Sequence, residues 1–113
     1  MKRKIVFFKD HFLNFYFNQS PEVQKKIDWT FELIRDLEMI PEKYFKHLSG
    51  TSGLYEIRVH LGTNQIRIFS FFDSEKLVIL INGFLKKTKK TPKQELELAI
   101  SLMEEYFNEK GKH

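Results

Sequence analysis

The fold turns on residues 54–84, LYEIRVHLGTNQIRIFSFFDSEKLVILINGF. Three strand patterns run through it. From Leu54 to His60, Tyr55, Ile57 and Val59 alternate with Glu56, Arg58 and His60, the period of two that a half-buried strand imposes. Gly62-Thr63-Asn64 makes a turn, Gln65–Phe72 is again strongly β-prone, and Asp73-Ser74-Glu75 turns the chain once more. Lys76–Phe84 is apolar on both faces, as a central strand is, with no break from Leu77 to Ile81. The links are short, so the three strands are expected to form an antiparallel meander.

Before the meander, Lys4–Phe8 reads as a first, short strand. Asp10 can cap a helix reaching about Phe17, and Ser20-Pro21 starts another, with serine as N-cap and proline at the first helical position, where its missing N–H costs nothing. Val23, Ile27, Phe31 and Ile34 supply one apolar stripe, and this helix should end before Pro41. Glu42–Gly53, which holds Lys46-His47-Leu48, reads as a connection. After the meander, Thr91 with Gln94 forms a capping-box pattern around Pro92, opening a last helix to about Asn108 with Leu96, Ile100, Met103 and Phe107 as its inner stripe. Lys110-Gly111-Lys112-His113 is left as a tail. The expected order is β-α-α-β-β-β-α: an α+β domain over residues 1–113, its curved, mostly antiparallel sheet packed against helices.

Composition narrows the function. A chain of 113 residues is the size of one domain, and its 12 phenylalanines supply a real core. No run approaches the length of a membrane span, and the basic-then-apolar start Met1–Phe8 is broken by Lys9-Asp10-His11 too early for a signal peptide, so no membrane partner is expected. The absence of cysteine suits a reducing cytoplasm. HExxH, CxxC, GxGxxG, Walker and GxSxG patterns are all missing, so neither a metal nor another cofactor is expected. The formal charge is +4, and its distribution is uneven. Leu85–Lys93 holds five lysines and no acid, Gln94–Asn108 four glutamates and no base, and between Gly53 and Phe72 the only formal charges are Glu56, Arg58 and Arg67.

Two readings of the arginines stand side by side. Either one pairs with Glu56 across the ladder, an ordinary cross-strand ion pair, or both share a sheet face and grip phosphate, which guanidinium does bidentately. Lys86, Lys87, Lys89 and Lys90 are either a solvated loop guarding the sheet edge or, just before a helix N-terminus, part of the same anion site. Lys86 and Lys87 are nearest the strand, with Lys89 and Lys90 peripheral. His47 and His60 are candidate proton carriers; His11 and His113 are incidental. Tyr55, Phe69 and Phe71 fit core better than base stacking.

Gly53-Leu54-Tyr55-Glu56-Ile57-Arg58, Ile66-Arg67-Ile68-Phe69 and Gly83–Pro92 (GFLKKTKKTP), preceded by Phe45-Lys46-His47-Leu48, together resemble the phage-derived, HigB-like branch of the RelE/ParE toxin superfamily. The resemblance runs from about Lys4 to Phe107. It implies a RelE/ParE-like fold and the toxin of a type II toxin–antitoxin module: a ribosome-dependent endoribonuclease that cuts messenger RNA without a metal, the RNA's own 2′-OH attacking the next phosphate. It further implies that Arg67 and Arg58 hold the scissile phosphate or assist proton transfer, that Lys86 or Lys87 protonates the leaving oxygen, and that Lys46, His47, His60, Lys89 and Lys90 contact RNA. Its implied partners are the ribosome with its message and a cognate antitoxin of the helix-turn-helix type. Two positions depart from the family's pattern: Gln94-Glu95-Leu96-Glu97 stands where a catalytic tyrosine is common, with Tyr106 too far along, and Ser70 replaces an aromatic. The general base is left among His47, His60 and Glu95. ParE proteins share the fold but inhibit gyrase by binding alone, which is the alternative reading.

Overall fold

The computed structural model describes residues 2–111. Its elements are β1 (Lys4–Phe7), α1 (His11–Phe17), α2 (Pro21–Asp36), β2 (Phe45–His47), β3 (Tyr55–Leu61), β4 (Asn64–Ser74), β5 (Leu77–Leu85) and α3 (Lys93–Lys110). The α+β class holds: three helices pack on an open, mixed sheet in the order β1-β5-β4-β3-β2. β3, β4 and β5 form the antiparallel meander, while β1 lies parallel to β5 at one edge.

The sheet has one strand more than the sequence pattern indicated. Phe45–His47 pairs antiparallel with β3 at the far edge, Lys46 opposite Glu56 and His47 opposite Tyr55. Three residues are too few to show a period. What holds them is Phe45, buried against the α1/α2 side of the sheet and stacked on Tyr55 at 4.6 Å between ring centroids.

Each face of the sheet has its own core. Toward α1 and α2 it presents Ile57 and Val59 of β3, Ile66 and Ile68 of β4, and Val78 and Leu80 of β5, closed by the expected stripe Val23, Ile27, Phe31 and Ile34. Burying each such side chain stabilises the fold by about 1.5–3 kcal/mol. Ser20 caps α2 as its position suggested, its hydroxyl accepting from the Val23 N–H at 3.3 Å. Asp10 occupies the N-cap of α1, but its side chain makes no capping bond.

Toward α3 the sheet presents Phe69, Phe71, Ile79, Ile81 and Phe84. Here the sequence reading needs two corrections. Met103 of the expected stripe is buried and Leu96 and Ile100 pack against this core, but Ala99 and Leu102 are buried beside them and Phe107 is 42% exposed, so the helix is rotated away from a stripe ending on Phe107. Ala99, fully buried, belongs to the same cluster as Phe69 and Phe71. Nor does Thr91 cap the helix. The N-cap is Pro92, with no side-chain capping bond, and the first turn is held instead by the buried Asn82. The Asn82 Nδ2 donates to the Glu95 carbonyl and to Glu95 Oε1, both at 3.1 Å. Asn82 is delivered by a β-bulge: Ile68 pairs with Gly83 and Ser70 with Leu80, so β5 carries one residue more than β4 over this interval. The tail residues Lys112 and His113 lie outside the described residues.

Gly83 shows how closely the α1 side is packed. A Cβ there would lie 2.8 Å from Phe15 Cδ2. Gly83→Ala is therefore expected to destabilise the protein by about 1–3 kcal/mol through overpacking, read as a lower urea midpoint, and Phe15→Leu in the same chain should restore part of the loss.

Candidate functional site

The register of β3 against β4 builds the site. Arg58 and Arg67 are direct Cα partners, and His60 faces Gln65 one same-face step further out. Because side chains alternate across a strand, Glu56, Arg58 and His60 lie on the face opposite Ile57 and Val59. The two arginines thus share the α3 face of the sheet. Phe84 of β5 pairs with Arg67, and the Lys86 N–H, just past β5, donates to the Gln65 carbonyl at 2.8 Å. Two rows result across the strands, Arg58–Arg67–Phe84 and His60–Gln65–Lys86.

Glu56 engages both arginines at once. Its Oε1 accepts from Arg58 Nε at 3.0 Å, and Arg67 Nε approaches the same oxygen to 3.3 Å without aligning as a hydrogen bond. Glu56 is 1% exposed and Arg67 4%. Arg67 is fixed elsewhere too, Nη1 donating to the Ile66 carbonyl and Nη2 to Gln65 Oε1, both at 3.1 Å. Burial lowers the Arg67 pKa, the Glu56 charge opposes that, and Arg58 adds to it; a guanidinium nonetheless stays protonated. The ion pair with Glu56 read from the sequence is therefore present, but it takes both arginines, Arg67 across the ladder and Arg58 along β3 itself.

The cluster is not internally complete. Among the described residues, Glu56 Oε2, Arg67 Nε and Asn82 Oδ1 are buried with no hydrogen-bond partner, and all three side chains belong to the α3 side of the sheet. Each unmade buried bond costs about 1–3 kcal/mol. Such atoms are rare in native structures.

Beyond this row, Thr63, Gln65, Lys86, Lys87, Thr88 and Lys89 line an open cleft of about 500 Å³ that contains no acid. Gln65 joins the two parts, since it lines the cleft and accepts from Arg67. Nothing in its sequence context singled it out. Lys90 is exposed and outside the cleft lining.

The histidines separate. His60 shares the arginine face. Burial first, then Arg67 and more weakly Arg58 and Lys43, push its pKa below the ordinary value, against a hydrogen bond that the ring donates to the Lys43 backbone, so the imidazole is neutral at pH 7. His47 is not brought to the site: paired with Tyr55, it lies on the opposite face, its ring edge-on to Tyr55 at 5.2 Å. Lys46, facing Glu56, is on the arginine side at the sheet edge. Glu95 is turned to Asn82 rather than left free. No three His, Cys, Asp or Glu side chains converge as a metal-ligand set among the described residues, and no helix is long and apolar enough to cross a membrane.

Tyr106 is tied down elsewhere. Its hydroxyl donates to Asp73 Oδ2 at 2.5 Å, Lys110 binds the other oxygen of Asp73, and the ring packs on Phe8 and Phe71.

Three helices on an open five-stranded mixed sheet, with a basic patch on one face, make this an α+β protein of RelE-like architecture. Residues 15–104 match the model of the phage-derived Gp49-like protein family (DUF891), and the chain belongs to that family, which is associated with toxins of the RelE/HigB type in toxin–antitoxin systems. No curated protein matches the chain.

Burial and then the bond to Asp73 push the Tyr106 pKa up from 10.0 to about 12. Between those values only the unfolded chain releases this proton. Its contribution to stability is complete below pH 10 and is lost as pH rises toward about 12. Tyr106→Phe should lose about 0.5–1.5 kcal/mol at neutral pH with the hydrogen bond. The gap between wild type and variant in urea unfolding should then close across that alkaline window.

Proposed function

We propose that this chain is the toxin of a type II toxin–antitoxin module and that it cuts messenger RNA on the translating ribosome. The observation that carries the reading is the direct opposition of Arg58 and Arg67 on a sheet face that continues into an acid-free lysine cleft. One guanidinium can grip a phosphate bidentately, and a second opposite it adds positive charge where the phosphorane gains negative charge. The membership of a family associated with such toxins supports it.

The chemistry asks little else of the protein. A base takes the proton of the 2′-OH, and the freed oxygen attacks the adjacent phosphorus. The P–O5′ bond breaks, leaving a 2′,3′-cyclic phosphate, and the departing 5′ oxygen takes a proton. The intermediate phosphorane carries more negative charge than the starting diester, so cations fixed beforehand favour it over the ground state. Arg67, 4% exposed and held by Glu56, Ile66 and Gln65, supplies a fixed positive charge from behind the sheet face. Arg58, half-buried, supplies the second and makes the contact. Lys86, half-buried at the cleft mouth, is placed to protonate the leaving oxygen, with Lys87 and Lys89 drawing in the backbone. Neutral His60 on the same face is the base this arrangement favours. Acting on translating ribosomes places the protein in the cytoplasm. A cognate antitoxin, of helix-turn-helix type, presenting acidic residues to the lysine cleft would silence it.

The test is 5′-end mapping of a message translated in vitro with the purified protein. Discrete cuts in translating reactions, absent from free RNA, are expected. Arg67→Ala or Arg58→Ala should slow cutting about 10²–10³-fold, the usual loss for one charge-stabilising donor, with Arg67→Lys as a control that keeps the charge. An intact message from folded protein would overturn the reading, and gyrase inhibition by that protein would replace it with a ParE-type toxin that binds without cutting.

A further inference from the structure

We infer that Glu56 is a positioning residue that sets Arg58 against the buried Arg67 as one phosphate clamp, Arg58 making the contact and Arg67 supplying charge behind it, an inference that rests on the reading just given. Two like charges directly opposite on neighbouring strands repel, and left alone the guanidiniums would swing apart. Glu56 stands where it opposes this. It precedes Arg58 by two residues on the same face of β3, and its partner across the ladder, Phe69, follows Arg67 by two. It is therefore one same-face step from each arginine. Its single oxygen Oε1 lies 3.0 Å from Arg58 Nε and 3.3 Å from Arg67 Nε, so both guanidiniums are drawn to it by the same edge.

Burial decides how Glu56 acts. With 1% of its surface exposed it is no contact for a polymer substrate, and its influence passes through the arginines. The two are held unequally. Arg67 has further acceptors in the Ile66 carbonyl and Gln65 Oε1, whereas the bond to Glu56 is the one Arg58 side-chain hydrogen bond among the described residues. The direction of Arg58 thus depends on Glu56, and its two Nη nitrogens stay free for an incoming oxygen. Charge agrees with this. Two guanidiniums and one carboxylate leave a single net positive charge, which matches the single negative charge of a phosphodiester. Stability alone does not account for the arrangement, because a buried ion cluster with unmade bonds is often improved by apolar replacement.

Glu56→Gln keeps the size and the Oε1 acceptor while removing the charge. In single-turnover cleavage of ribosome-bound message it should lower the rate constant about 100-fold, the penalty for displacing a reacting group by roughly an ångström, with the half-saturating concentration changed only a few-fold. The Arg58→Ala, Glu56→Gln double variant should cut no more slowly than Arg58→Ala alone, since the second change removes a support for a group already gone. Additive losses would overturn the inference. So would wild-type rates in Glu56→Gln, or the loss in that variant of the acid limb of the pH–rate profile, which would make Glu56 the proton acceptor instead. If Glu56→Gln fails to melt cooperatively, Glu56→Asp, with the same charge and a shorter reach, takes its place in the cycle.

If wild-type protein cuts nothing, the nuclease reading fails by itself. The clamp is then read from binding of an all-deoxy oligonucleotide, which lacks the attacking hydroxyl. Glu56→Gln should weaken that binding in the chain with Arg58 and leave it unchanged in Arg58→Ala. Equal binding in every variant, or none even by wild type, would overturn the clamp.

Discussion

The register of β3 against β4 is the constraint on which the rest of the molecule depends. It is not set by the charged residues that benefit from it. Ile57 and Val59 on one strand, with Ile66 and Ile68 on the other, must all face α1 and α2. A slip of one residue would send an entire strand's apolar set to the wrong face. With the apolar side locked, alternation alone brings Arg58 opposite Arg67 and lays Glu56 beside both. The arginines thus lie on the back of the face that α1 and α2 cover, and the core on that side fixes where they stand.

That geometry works against stability. A buried carboxylate between two guanidiniums, with unsatisfied atoms on Glu56, Arg67 and Asn82, is a local deficit in a fold whose net margin is of order 5–15 kcal/mol. Two separate aromatic-rich cores offset it. Phe45, Tyr55 and Phe72 pack against one another on the α1/α2 side, and Phe69, Phe71 and Phe84 on the α3 side. Beyond the start of α3, where Asn82 holds Glu95, the same sheet face turns from aromatic to cationic. The bulge in β5 sharpens the change, since the residue it adds lets Asn82 pin the start of α3 just where the lysine segment ends.

Much of this was legible in the sequence, for identifiable reasons. Alternation over Leu54–His60 and the unbroken apolar run Leu77–Ile81 are period signals, and each lasts long enough to read. So is the stripe from Val23 to Ile34, and Ser20-Pro21 is a start signal with a mechanism of its own. What escaped lacked a period or depended on partners far along the chain. β2 is three residues held by one ring. The rotation of α3 depends on which of several apolar residues meets the sheet, and the sequence offered Phe107 as readily as Ala99. Thr91 lost its capping role to Asn82, a residue whose polarity in an apolar run was the available clue. In the site, the pairing of arginines followed from the hairpin, but Gln65 looked like any polar strand residue. His47 had no visible face until β2 existed. Glu56 could be named as a partner for either arginine, and only the register showed that it serves both.

The parallel pairing of β1 with β5 bears on the timing of biosynthesis. Lys4 pairs with Leu77, a residue 73 positions later in the chain (77 − 4). At typical elongation rates of about 5–20 residues per second, the first strand waits roughly 4–15 s before its neighbour exists. During that wait it is a short apolar edge with nothing to pair with, and Lys2, Arg3 and Lys4 are the charges that keep such an edge from recruiting another chain. β1 is therefore made well before the strand it pairs with, and a nascent chain stopped short of Leu77 leaves the sheet without its parallel edge.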